Sequence, residues 1–116
     1  MWKILIVAIV LSGPAMAEDW KMRAGNQVFA TEALQARLSG QTLVFFDEGR
    51  SVYGADGQYS YSYGGGGTWE GRWIASEDSA VCVTFVTEVT RCDRIVENAG
   101  KLVVLTEKGE RFPVKP

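Results

Sequence analysis

From Gln41 to the end of the chain, β-branched and aromatic residues alternate with polar ones in short runs, and a turn signal ends each run. This punctuation is the strongest constraint in the sequence, because strands joined by tight turns must lie side by side and antiparallel. The pattern predicts strands at Thr42–Phe46, Ser51–Ala55, Gln58–Tyr63, Thr68–Ala75, Ala80–Val86, Arg91–Glu97, Lys101–Thr106 and Glu110–Val114. Asp56-Gly57 reads as a two-residue hairpin turn, and Asn98-Ala99-Gly100 and Lys108-Gly109 mark further turns. Glu48-Gly49 and Ser76–Ser79 serve as loops.

About eight strands connected in this way predict a mainly β fold, a meander closing into a lipocalin-like up-and-down barrel. Closure removes exposed edges. A two-layer sandwich is the alternative, and periodicity alone does not separate the two. Before the strands, Thr31 is placed to cap a helix over Glu32–Ser39. Leu34 and Leu38 share one face, and Gly40 ends it. Two turns of helix are marginal alone, so this one must pack against the sheet.

The first 17 residues read as an export signal. Lys3 precedes an apolar run from Ile4 to Leu11, then Ser12-Gly13-Pro14, then the small-residue box Ala15-Met16-Ala17. A membrane span needs about 20 apolar residues, and this run stops well short. The expected organisation is a cleaved signal at 1–17, a lead-in at 18–30 without clear period, and a single β-rich domain at 31–116. The first Cys is Cys82, so no lipid-bearing Cys stands at the cleavage point. The expected location is the periplasm or the exterior, with no membrane insertion after cleavage. The formal net charge of −2 is spread without a basic cluster, which gives no footing for nucleic acid or anionic lipid.

Two cysteines in an exported chain point to one disulfide. Cys82 and Cys92 bracket VTFVTEVTR, whose middle falls at Thr87. Across a hairpin they would stand opposite each other, with Cβ atoms about 4.5–5.5 Å apart. Closing a loop of about 11 residues contributes at most about 2.8 kcal/mol in the chain-entropy account.

Candidate chemistry is sparse. The chain has no His, which removes the commonest general base and metal ligand. Asp47-Glu48 and Glu77-Asp78 are adjacent carboxylates at turns, where acidic residues are expected on solubility grounds. Asp47, Glu48 and Asp56 match no calcium loop. Gly64–Gly67 lacks the following helix and Lys of a phosphate loop and reads as a strand connector. No motif implies a cofactor or a metal.

The candidate ligand-facing residues are aromatic. Tyr59, Tyr61 and Tyr63 alternate onto one face of a strand, and Trp69 and Trp73 share a face with Gly71 between them. Facing inward, these rings fill the core; facing outward, they form a stacking platform. Gln58, Ser60, Ser62, Glu70 and Arg72 on the opposite faces favour the inward reading. Gly71 then makes room for a neighbouring ring or a bend.

Leu38-Ser39-Gly40-Gln41-Thr42, Asp56-Gly57, Gly71-x-Trp73 and the Cys82 and Cys92 pair, behind an export signal, resemble small secreted proteins of proteobacteria that have no assigned function. The likeness covers Leu34 to Arg111. It implies a periplasmic β domain and carries over no catalytic residue. In architecture the chain is also similar to periplasmic inhibitors of C-type lysozyme, but it lacks their Ser-Gly-x-x-Tyr and Thr-Lys-Gly elements. The sequence thus points to a non-enzymatic binding module for a periplasmic protein or glycan. The alternatives are an inhibitor of a lysozyme-type enzyme and a carboxylate-dependent glycan hydrolase.

Overall fold

The computed structural model describes residues 22–116; the expected export signal at 1–17 and the first residues of the expected lead-in lie outside them. One helix and eight strands follow in chain order: α1 (Thr31–Leu38), β1 (Gln41–Val44), β2 (Arg50–Tyr53), β3 (Gln58–Ser62), β4 (Thr68–Ala75), β5 (Ala80–Phe85), β6 (Thr90–Asn98), β7 (Lys101–Leu105) and β8 (Arg111–Pro113). All eight strands form one antiparallel sheet in the order β1 to β8. The sheet curls until its outer strands touch. Phe45 forms an antiparallel bridge with Val114, and the Lys115 N–H donates to the Val44 carbonyl at 2.8 Å. The architecture is the barrel-like meander rather than the sandwich, with a single interior.

Five of the seven hairpin connections repeat one loop. The N–H of Phe45, Gly54, Tyr63, Phe85 and Thr106 each donates to the carbonyl four residues on, and the residue three on donates back. This is a three-residue loop closed by a left-handed residue. That position holds Gly57, Gly66 and Gly109, but also Glu48 and Glu88, both at φ 72°. Asp56-Gly57 therefore belongs to a three-residue loop, and not to the expected two-residue turn. Asp56 Oδ1 accepts the Gln58 N–H at 3.0 Å, a local bond that competes with the tighter turn. The two-residue turn is instead Ala99-Gly100, both left-handed, between the paired Asn98 and Lys101.

The helix begins one residue earlier than expected. Ala30 takes the N-cap position with no side-chain cap bond, and Thr31 becomes the first helical residue. The Leu34 N–H reaches the Ala30 carbonyl at 2.9 Å, so the first helical bond already closes without Thr31 as a cap. Leu34 and Leu38 are fully buried, and the helix lies against β1 and β4. Gly40, at φ 77°, stops the helix and donates its N–H to the Tyr53 carbonyl.

Alternation sorts the strands into two faces. Leu43, Tyr53, Tyr59, Trp73, Ala75, Val81, Val83, Ile95 and Val104 point into the main core with the two helix leucines. Cys82 and Cys92 stand opposite each other in the β5–β6 register and form the expected disulfide on the outer face. Beyond Arg94, β6 runs past the end of β5, and the lead-in replaces the missing partner. Gln27 and Glu97 exchange backbone hydrogen bonds at 2.8 and 3.0 Å, and Ser79 ties Phe29 to the same corner. Outside the barrel, Val96, Val103 and Leu105 form a second small cluster, against which Met22 packs.

At Gly71 the backbone of β5 comes close against β4. A Cβ there would strike the Thr84 carbonyl oxygen and lie 2.9 Å from Phe85 Cα. What Gly71 makes room for is thus the backbone of β5, whereas a neighbouring ring or a bend was expected. Gly71→Ala is expected to cost about 1–3 kcal/mol, read from urea unfolding with an unchanged slope. At the mouth-side loop, Glu88→Gly is expected to gain about 0.5–1 kcal/mol, the left-handed strain exceeding glycine's extra freedom in the unfolded chain.

Candidate functional site

The β1–β2, β3–β4, β5–β6 and β7–β8 loops all fall at one end of the barrel, and the helix packs against the sheet towards the other. The helix end is filled. Towards the loop end the interior opens into a cavity of about 550 Å³. Its wall carries Phe45, Tyr53, Tyr59, Tyr61, Tyr63, Trp69, Phe85 and Phe112, with valines between them.

The tyrosine strand runs along this wall from floor to rim. Tyr59 is 8% exposed, Tyr61 half-buried and Tyr63 54% exposed, as each step of two residues moves 6–7 Å towards the mouth. The tryptophans follow the same gradient. Trp73 is buried in the core, its ring 5.2 Å from Tyr53 and its Nε1–H bonded to the Gly54 carbonyl at 2.9 Å. It lies outside the cavity lining and holds the floor together. Trp69 lines the cavity, is 46% exposed, and meets Phe85 edge-on at 6.3 Å. Edge-to-face contacts also join Tyr53 to Tyr59, Tyr59 to Phe85 and Tyr61 to Tyr63, with centroids 5.0–6.0 Å apart. Such pairs match positive ring edges to negative faces and stiffen the wall.

Polar groups are few and individually placed. Ser51 Oγ and Tyr59 Oη lie 3.0 Å apart, fully inside. Burial pushes the Tyr59 phenol up to about 12 and raises the Tyr53 phenol well above its ordinary value, so both stay protonated across the physiological range. On β6, Arg91 Nε reaches Asp93 Oδ2 at 3.2 Å, two residues apart on the inward face. Asp93 is raised above its ordinary value by burial, and Arg91 offsets this only in part. Asp47 at the mouth accepts the Gly49 N–H at 2.8 Å, and Glu110 accepts the Thr106 hydroxyl at 3.1 Å.

Asp47 lines the cavity, whereas Glu48 turns to solvent and pairs with Lys115 at 2.8 Å. Asp56, Glu77 and Asp78 sit in loops of the opposite end, so the carboxylates singled out in the sequence do not converge. Gly64–Gly67 closes the loop between Tyr63 and Trp69. Gly64 packs against the β1–β2 loop, where a Cβ would lie 2.5 Å from the Asp47 carbonyl oxygen. Ser51, Phe85, Arg91, Asp93 and Glu110 were not singled out by the sequence reading. The cystine offered the signal: with Cys82 and Cys92 paired on the outer face, Arg91 and Asp93 must share the inner face with Val81 and Val83.

The disulfide is compatible with an extracytoplasmic protein. Comparison with protein-family models, curated proteins and solved structures finds no match.

Asp93 provides a titration test. Its folded-state pKa is raised, so the ionised form is the less stable one inside the barrel. Its contribution to stability is largest in acid and is lost as pH climbs from the unfolded value through the raised folded value. A carbon-detected NMR titration should place the Asp93 midpoint above the ordinary 3.8, and Asp93→Asn should abolish that segment of the stability–pH curve. A midpoint at or below 3.8 would mean that Asp93 is solvated or more strongly paired.

Proposed function

We propose that this chain is an extracytoplasmic, non-enzymatic binding module that holds a small amphipathic molecule inside the barrel. The export signal and the disulfide support a periplasmic or secreted site of action. One observation carries the reading: the interior is closed and packed at the helix end but left open, ring-lined and continuous with solvent at the other.

A cavity of this kind favours a ligand with a flat apolar part. Burying about 200 Å² of apolar ligand surface is worth about 5 kcal/mol before the cost of association, and a stiff, preformed wall keeps that cost low. The few polar groups inside then set orientation. The rim extends the apolar surface outwards: Phe46, Tyr63, Trp69, Val86 and Val89 are 46–73% exposed on neighbouring loops and strand ends. This rim gives an incoming apolar group somewhere to land before it enters.

The test uses N-phenylnaphthylamine, whose emission rises on leaving water. Emission should rise on mixing with the full-length mature protein. Tyr61→Ala should weaken binding about tenfold, since a lost ring contact of about 1.4 kcal/mol corresponds to that factor. Ile74→Ala on the outer face should leave binding unchanged. No emission change, or equal loss in both variants, would remove the interior as the binding site.

A further inference from the structure

The charges around the cavity point to the sign of its ligand. Among the described residues, four charged side chains line it: Asp47, Asp93 and Glu110, opposed by Arg91. Arg91 is already engaged by Asp93, at 3.2 Å, so among the described residues that line the cavity no further cation stands beside the carboxylates of Asp47 and Glu110. Both are held in place by hydrogen bonds from their own loops, from the Gly49 N–H and the Thr106 hydroxyl. These bonds fix the carboxylates without neutralising them. The aromatic wall adds to the field, because ring faces are electron-rich and attract cations.

We infer that the molecule held in the cavity is an organic cation, with its flat apolar part among the rings and its ammonium-type head towards Asp47, Asp93 and Glu110. This inference rests on the binding function proposed above. An anionic head would meet three carboxylates, Asp93 partly buried and Asp47 and Glu110 at the exposed mouth, and the guanidinium of the described lining, Arg91, is engaged by Asp93. A neutral molecule would gain the apolar contacts but leave the carboxylates unanswered. A cationic head gains both, and it competes with Arg91 for Asp93. Removing Arg91 should therefore strengthen binding, although a positive residue is lost from a cavity that is otherwise mostly apolar.

The experiment is calorimetric titration of the mature protein with three ligands of matched shape: naphthylmethyl-trimethylammonium, naphthylmethanol and naphthylacetate. The cation should bind at least tenfold more tightly than the alcohol, the acetate more weakly than the alcohol, and added salt should narrow the gap. Arg91→Gln should tighten the cation severalfold and leave the alcohol unchanged; Asp93→Asn should weaken the cation and admit the acetate. Equal affinities for the three ligands, or tightest binding by the acetate, would overturn the inference while leaving the cavity as a binding site. If none of the three binds, the binding function itself fails. Should either variant not fold, the ligand series and its salt dependence on the unaltered protein decide the question.

Discussion

Side chains on a strand alternate between two faces, and in an eight-stranded meander curled on itself one of those faces is a single shared interior. Most of the site follows from this. Once β5 and β6 are locked in register by Cys82 opposite Cys92, Val81, Val83, Arg91, Asp93 and Ile95 have no choice of side. The same rule, carried through β3 and β4, brings Tyr59, Tyr61, Trp69 and Trp73 to the inside. A slip of one residue in β3 or β4 would exchange these rings mainly for Ser60, Ser62, Thr68, Glu70 and Arg72.

The interior is filled unevenly, packed at one end and hollow at the end proposed to bind. At one end, Leu34 and Leu38 from the helix join Ile95, Trp73 and Ala75 in the core, and the Trp73 indole donates to the Gly54 carbonyl. At the other end, aromatic side chains lean on one another edge-to-face and leave a space between them. Such a space forfeits dispersion contacts, and an inward Asp93 raised by its burial adds a further cost. A chain selected for stability alone would fill the space and remove the charge, and the proposed ligand would offset that cost.

Much of the architecture was legible in the sequence. The alternating runs predicted all eight strands to within two residues at each end, and the cystine partners were read from redox context and spacing. The inward preference of the tyrosines followed from the serines between them. Other features depend on tertiary structure and left no local trace. A hollow is not a pattern of residues; it is what remains when large rings stop short of the opposite wall. Arg91 and Asp93 look like surface charges until the disulfide register turns them inward. The turn at Asp56-Gly57 misled because the Asp56 carboxylate accepts the Gln58 N–H in the longer loop, while Ala99, a residue with no turn preference, occupies the tight one. Gly71 was recognised as making room, but what it makes room for is the backbone of the next strand.

The central claim is that the ring-lined space, and not an outer face, receives the ligand. It is tested most directly by intermolecular nuclear Overhauser contacts between naphthylmethyl-trimethylammonium and the isotope-labelled protein. The account predicts contacts from the naphthyl protons to Tyr61, Trp69 and Phe85 and from the ammonium methyls to Asp93 and its neighbours on the inner wall. Contacts confined to Ile74, Val52 or other outward side chains, with the cavity rings unperturbed, would contradict it.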